Sequence, residues 1–164
     1  MLSEILNRYY RLTQEALSSG HKEHMKITIS TDKAKLDFYL IYTFLHNDSY
    51  WAKGIPFEVV QRSIKNSMCF GVYIDEQQIG FARVITDHAT FAYLADVFIV
   101  EEFRGKGISK QLIAHIKGHP DLQGLRRWML ATADAHGLYE QFDFKSLSLP
   151  DRFMEISKKN FYLN

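Results

Sequence analysis

Apolar residues recur at Leu2, Ile5, Leu6, Tyr9, Leu12, Ala16 and Leu17, a spacing of three and four that draws one stripe along a helix. Ser18-Ser19-Gly20 and the polar His21 to His24 end the stripe. Residues 1–24 therefore read as an amphipathic extension and linker, ahead of a domain spanning 25–164. A stripe of that width is expected to dock on its own domain or in a homodimer, with initiation at Met25 as a further reading. Met25 to Ser30 alternates as a first strand. Lys35 to His46 returns to helical spacing through Leu36, Tyr39, Leu40, Thr43 and Phe44. A second helix starts near Pro56, whose fixed φ suits a first turn, and runs through Val59, Val60 and Ile64 to Asn66.

Alternation then takes over. Met68 to Asp75 and Gln78 to Thr86 read as a hairpin about Asp75-Glu76-Gln77, and Phe91 to Val100 as the next strand. Ile108 to Lys117 has helical period, Arg127 to Thr132 reads as a buried strand, Asp134 onward as a short helix leading into a strand, and Phe153 to Ile156 as a last strand. The order β-α-α-β-β-β-α-β-α-β carries no repeat and no low-complexity tract.

Composition narrows the classes without changing this picture. A chain of 164 residues, 46% hydrophobic, can build one full core. A net charge of +1 argues against a nucleic-acid partner reached through Arg104, Lys106, Lys110, Arg126 and Arg127, because such surfaces carry a large basic excess. The single cysteine, Cys69, has no internal disulfide partner and reads as core. No apolar run approaches 18 residues and the first segment carries Glu4, Arg8 and Glu15, so the expectation is a cytoplasmic protein with no membrane partner. The histidines have no ligand spacing with one another or with Cys69, and no metal is expected.

Candidate chemistry concentrates after Val97-Phe98-Ile99, where an apolar strand breaks into Arg104-Gly105-Lys106-Gly107-Ile108-Ser109-Lys110 and then a helix. Glycines allow a sharp turn and close approach to backbone N–H groups, and a helix start adds unpaired donors and a positive dipole end. That combination holds a phosphate. Neither the Walker spacing nor the three-glycine dinucleotide fingerprint is present.

The loop does match Arg/Gln-x-x-Gly-x-Gly/Ala, with Ser109 in the last position, and resembles the coenzyme A pyrophosphate loop of GNAT-type N-acetyltransferases. A second stretch resembles the same family's Ala-x-x-Leu-Tyr-Glu-x-x-Gly-Phe signature, with Ala135, Leu138, Tyr139, Glu140 and Phe144 in register and Asp143 in place of its glycine. Asp is among the few residues that accept the left-handed conformation such a cap requires. The resemblance spans about residues 25 to 157 and implies an α/β fold: a mixed, mostly antiparallel twisted sheet of six or seven strands with helices on both faces. It implies transfer of an acetyl group from acetyl-CoA to a primary amine of a small molecule, by direct attack through a tetrahedral intermediate. A catalytically silent CoA-binding or interaction module on the same scaffold is the alternative.

The resemblance also distributes roles. Backbone N–H groups from Arg104 to Lys110 hold the pyrophosphate, with charge from the Arg104 and Lys106 side chains, while Val97, Phe98 and Ile99 pair with the pantetheine arm and polarise the thioester. Tyr139 is the candidate general acid, its ordinary pKa near 10 standing not far above a thiol's ~8.5. Asp96 interrupts an apolar strand, so it either relays the amine proton or binds and orients the substrate. Arg83, on the neighbouring strand, reads as its partner or as a clamp for a substrate carboxylate. His136 lies three residues before Tyr139 on the same helix face. Trp51, in the aromatic loop Tyr50 to Gly54, is placed by the resemblance over the acceptor pocket.

Overall fold

A computed structural model describes residues 26–158 and 161–163, so the amphipathic stripe of residues 1–24 and Met25 lie outside the described residues. The strands are β1 (Ile27–Ser30), β2 (Met68–Ile74), β3 (Gln77–Thr86), β4 (Phe91–Ile99) and β5 (Arg127–Met129). They form one sheet in chain order, antiparallel from β1 to β4 and parallel between β4 and β5. The helices are α1 (Phe38–Thr43), α2 (Phe57–Lys65), α3 (Ile108–Lys117) and the single turn α4 (His136–Tyr139). Among the described residues no helix is long and apolar enough to cross a membrane.

Burial on β2 explains why helices cover both faces of the sheet. Five successive residues, Cys69 to Tyr73, are buried, which a one-sided sheet would forbid. Cys69 Sγ donates to the carbonyl of Ile64 on α2 (3.5 Å), whereas the Phe70 ring meets the edges of His115 and His119 at 5.7–6.1 Å, at the end of α3. Neighbouring side chains thus enter opposite layers. On α3 the buried set Ile108, Leu112, Ile113 and Ile116 repeats the helical period, and each such side chain contributes roughly 1.5–3 kcal/mol through burial. Asp37 starts α1 by accepting from the Leu40 N–H (2.9 Å), and its own N–H donates to the buried Gln78 of β3 (2.7 Å). That pair fixes α1 against the sheet.

The α/β architecture of the sequence reading holds, with differences at its edges. The first helix begins at Phe38 rather than Lys35, after a separate 3-10 turn at Lys33–Lys35, and runs on past Thr43 as a wider π-type turn from Phe44 to Asp48. Five strands are described instead of six or seven. Phe153 to Ile156 pairs with no strand among the described residues, and its alternation buries little: Phe153 is half-buried, while Met154 and Ile156 are 98% and 100% exposed. Chain after Asp143 likewise makes no ladder, and β5 stops at Met129 rather than Thr132. Period-2 alternation predicts a strand only where a neighbour supplies its hydrogen bonds.

Candidate functional site

Pairing between β3 and β4 slips in the middle of the strands. Phe81 faces Phe98 and Arg83 faces Ala95, so two steps along β3 take three along β4. The additional residue forms a bulge at Asp96, whose φ of 53° lies in the left-handed region. There its carboxylate meets two other sequence candidates. Arg83 Nε donates to Asp96 Oδ2, and the Trp51 indole N–H donates to Oδ1 at 3.0 Å. Arg83 Nη1 also donates to Ser67 Oγ (3.2 Å), which holds the guanidinium from behind. Arg83 is thus the partner of Asp96, the first of its two readings.

The second feature is a parting of strands. β4 and β5 pair only at Phe91–Arg127, Ala92–Trp128 and Tyr93–Met129, after which β4 continues six residues to Ile99. From Val97 to Ile99 the outer edge of β4 therefore has no strand partner among the described residues, and its backbone groups border a wedge. The far wall of the wedge is the chain from Ala131 to Ala135 together with Tyr139. Tyr50 ties that wall to the α1–α2 loop, its hydroxyl oxygen accepting from the Ala133 N–H at 2.9 Å.

Tyr139 stands between two cavities. On one side a space of about 550 Å³ is bounded by Trp51, Arg83, Tyr93, Asp96, Asp134 and Tyr162 among others; on the other, one of about 300 Å³ is bounded by Trp128, His136, Phe144 and Leu147. Tyr139 is 8% exposed, and burial pushes its hydroxyl pKa up to about 12, with Tyr50 and Asp134 adding to the shift. Its proton stays on at any neutral or mildly alkaline pH. Asp143 takes the left-handed cap (φ 68°) just after the 3-10 turn Glu140–Phe142, and Phe144 turns back so that its ring meets Tyr139 edge-on at 6.0 Å. His136 is exposed and borders only the smaller cavity, so the structure brings it to Tyr139 but not to Asp96, Arg83 and Trp51.

The glycine loop opens beside this wedge. After a 3-10 turn at Glu101–Phe103, Gly105 and Gly107 adopt φ of 74° and 76°, and Gly107 caps α3 without any side-chain hydrogen bond. A β-carbon at either glycine would meet nothing within 4 Å. The first-turn N–H groups of α3 thus face a concavity bounded by Phe103 to Lys110 and by Leu138 of α4. Within the loop, Arg104 Nε donates to the Ile99 carbonyl (2.9 Å) and Lys106 Nζ to that of Glu102 (3.2 Å). Both brace the loop while leaving charge near it.

Sequence reasoning singled out neither Ser67, Tyr93, Asp134 nor Tyr162 for this site. Asp134 sits within the recognised stretch and Tyr50 beside Trp51, so those two carried a local signal; Ser67 and Tyr162 arrive only through tertiary contact.

The family model for the GNAT acetyltransferase domain matches residues 65–146, half of the chain. A Gibberella zeae protein named as an acetyltransferase is 34% identical over 133 residues, 68% of this chain and 74% of that one. A crystal structure assigned to the GNAT family, from Xanthomonas campestris pv. campestris, superposes with a TM-score of 0.83 at 50% identity, covering 85% of this chain and 98% of that one. At 13% identity, a Clostridium acetobutylicum structure solved with acetyl-CoA shares the fold (TM-score 0.60, covering 80% and 96%). With the glycine loop and the tyrosine both found where the two motifs stand, the chain belongs to the GNAT family of acetyltransferases.

Proposed function

We propose that the protein uses acetyl-CoA to acetylate a primary amine of a small molecule by direct attack. The observation that carries this reading is the parting of β4 from β5, which gathers an unpaired backbone edge, an open helix start and a buried tyrosine around one wedge. The residues present fit the cosubstrate. Unpartnered N–H groups at the start of α3 suit a pyrophosphate, as do glycines with open space at the β-carbon position, and the edge from Val97 to Ile99 suits an amide-bearing arm. Acetyl-CoA supplies an activated thioester.

The chain's own groups do the rest. The amine nitrogen forms its bond to the acetyl carbon, the carbon–sulfur bond breaks, the amine gives up a proton to water, and the thiolate takes one from the Tyr139 hydroxyl, which water then restores. Backbone N–H groups of β4 stabilise negative charge on the carbonyl oxygen of the tetrahedral intermediate, and such donors are worth roughly 3–4 kcal/mol each. Tyr139 holds the proton for sulfur. Asp96 accepts one donor on each oxygen and keeps a second lone pair on each, which suits it to hold and orient the amine. Mixing the full-length protein with acetyl-CoA and a panel of amines, and following free thiol, tests the reading. Amine-dependent thiol release is expected, and tight acetyl-CoA binding without it would leave a silent CoA-binding module.

A further inference from the structure

The cavity beside Tyr139 has a composition that selects among amines. Five aromatic side chains border it, Tyr50, Trp51, Tyr93, Tyr139 and Tyr162, and two of these are half open to solvent, Tyr50 at 58% and Trp51 at 43%. Exposed rings on a cavity wall favour an apolar or aromatic body, and ring faces attract a protonated amine. The charges point the same way. Arg83, the one cation bordering the cavity among the described residues, is engaged by Asp96 and Ser67. Asp134 has no cationic partner among the described residues, its nearest being the Thr132 hydroxyl at 3.5 Å.

From this we infer that the acceptor is a monoamine on an aromatic or apolar body, with no carboxylate or phosphate near the nitrogen. The assignment rests on the acetyl-transfer reading above and narrows it. An α-amino acid brings a carboxylate beside the amine, next to Asp96 and Asp134, with no free cation among the described residues of the wall to receive it. A polyamine brings several ammonium groups to a wall with a single unneutralised carboxylate among the described residues.

The test compares 2-phenylethylamine with phenylalanine, which differ by one carboxylate, and with spermidine, using thiol release by the full-length protein and acetyl-CoA. The expected kcat/KM for 2-phenylethylamine exceeds that for phenylalanine about 100-fold, since juxtaposed like charges cost several kcal/mol. Spermidine is expected to trail as well. Trp51→Leu should raise KM for 2-phenylethylamine about tenfold with KM for acetyl-CoA unchanged, while Trp51→Phe, which keeps a ring, should recover most of the loss. Preference for phenylalanine or spermidine would overturn the assignment and leave acetyl transfer standing. Absence of thiol release with every amine, despite measured acetyl-CoA binding, would overturn the acetyl-transfer reading and the assignment with it.

Discussion

The glycine loop and the Asp96 corner are built on opposite plans. From Gly105 to Gly107 the loop is open, the helix start after it has no side-chain cap, and the β-carbon positions of its two glycines face empty space. The corner is closed: Asp96, Arg83, Trp51 and Ser67 share three side-chain hydrogen bonds, and the ion pair is only 10–17% exposed. An open loop keeps its donors for a ligand, whereas a closed corner uses them on itself and so holds one geometry. On the proposed reading, the first binds and the second aligns.

Damage to the corner should therefore register first as lost stability. Arg83→Met removes one member of a mostly buried pair and leaves Asp96 charged without its partner, an expected cost of about 3 kcal/mol. Urea unfolding reads it, and an unchanged midpoint would mean the pair is solvated in solution. Tyr139, between the two regions, should respond in turnover: Tyr139→Phe keeps the ring contacts and removes the proton, for an expected fall in kcat of about 100-fold with acetyl-CoA affinity retained. Wild-type turnover in that variant would reduce Tyr139 to a packing residue.

Gly107→Val attacks the loop. A β-branched residue at a φ of 76° is strained, and its methyl groups would fill the concavity, so affinity for acetyl-CoA should fall at least about tenfold by calorimetry, with a smaller loss of stability. Equal affinity would show that the ligand does not approach there.

The sequence carried the loop whole and the corner in part: it marks Asp96, Arg83 and Trp51 as candidates and offers the Arg83–Asp96 pairing as one reading, but gives no sign of the bonds from Trp51 to Asp96 and from Arg83 to Ser67. Every residue of the loop is contiguous, so its glycines, basic residues and following helix could be read together, and α3 occupies Ile108–Lys117 as its period predicts. Asp143 was legible for the same reason, because a cap is a local requirement. Trp51 reaches Asp96 across 45 residues and Arg83 reaches Ser67 across 16, and no local period encodes such meetings. Nor does any local signal tell where β5 parts from β4, which depends on what the next chain segment packs against. The last strand failed in the opposite sense: alternation at Phe153 to Ile156 was present, and a partner was not.

Smaller effects separate the core from the caps. Burial raises the Cys69 thiol from 9.0 to about 11 and the Tyr73 hydroxyl, like that of Tyr139, from 10.0 to about 12. Folding holds these protons more tightly than the unfolded chain does. Stability should therefore be intact below pH 9 and decline as pH rises from there through 11 and 12. A urea midpoint that stays level to pH 11 would contradict this. Asp143→Gly should stabilise the protein by only about 0.5 kcal/mol, since Asp tolerates the left-handed cap nearly as well. A loss of stability there would mean that the aspartate side chain contributes something the backbone does not.

The slip at Asp96 also bears on how this strand can vary over generations. Because one residue is inserted, Ala95 and Phe98 look toward the same layer although three positions separate them, and the positions of β4 that face this layer change from odd to even numbers on passing the bulge. An exchange of side chain at residue 96 disturbs one corner, but loss of the residue itself would put every later side chain of the strand out of phase, turning Phe98 away from Phe81. The inherited quantity at this point is the count of residues as much as their kind.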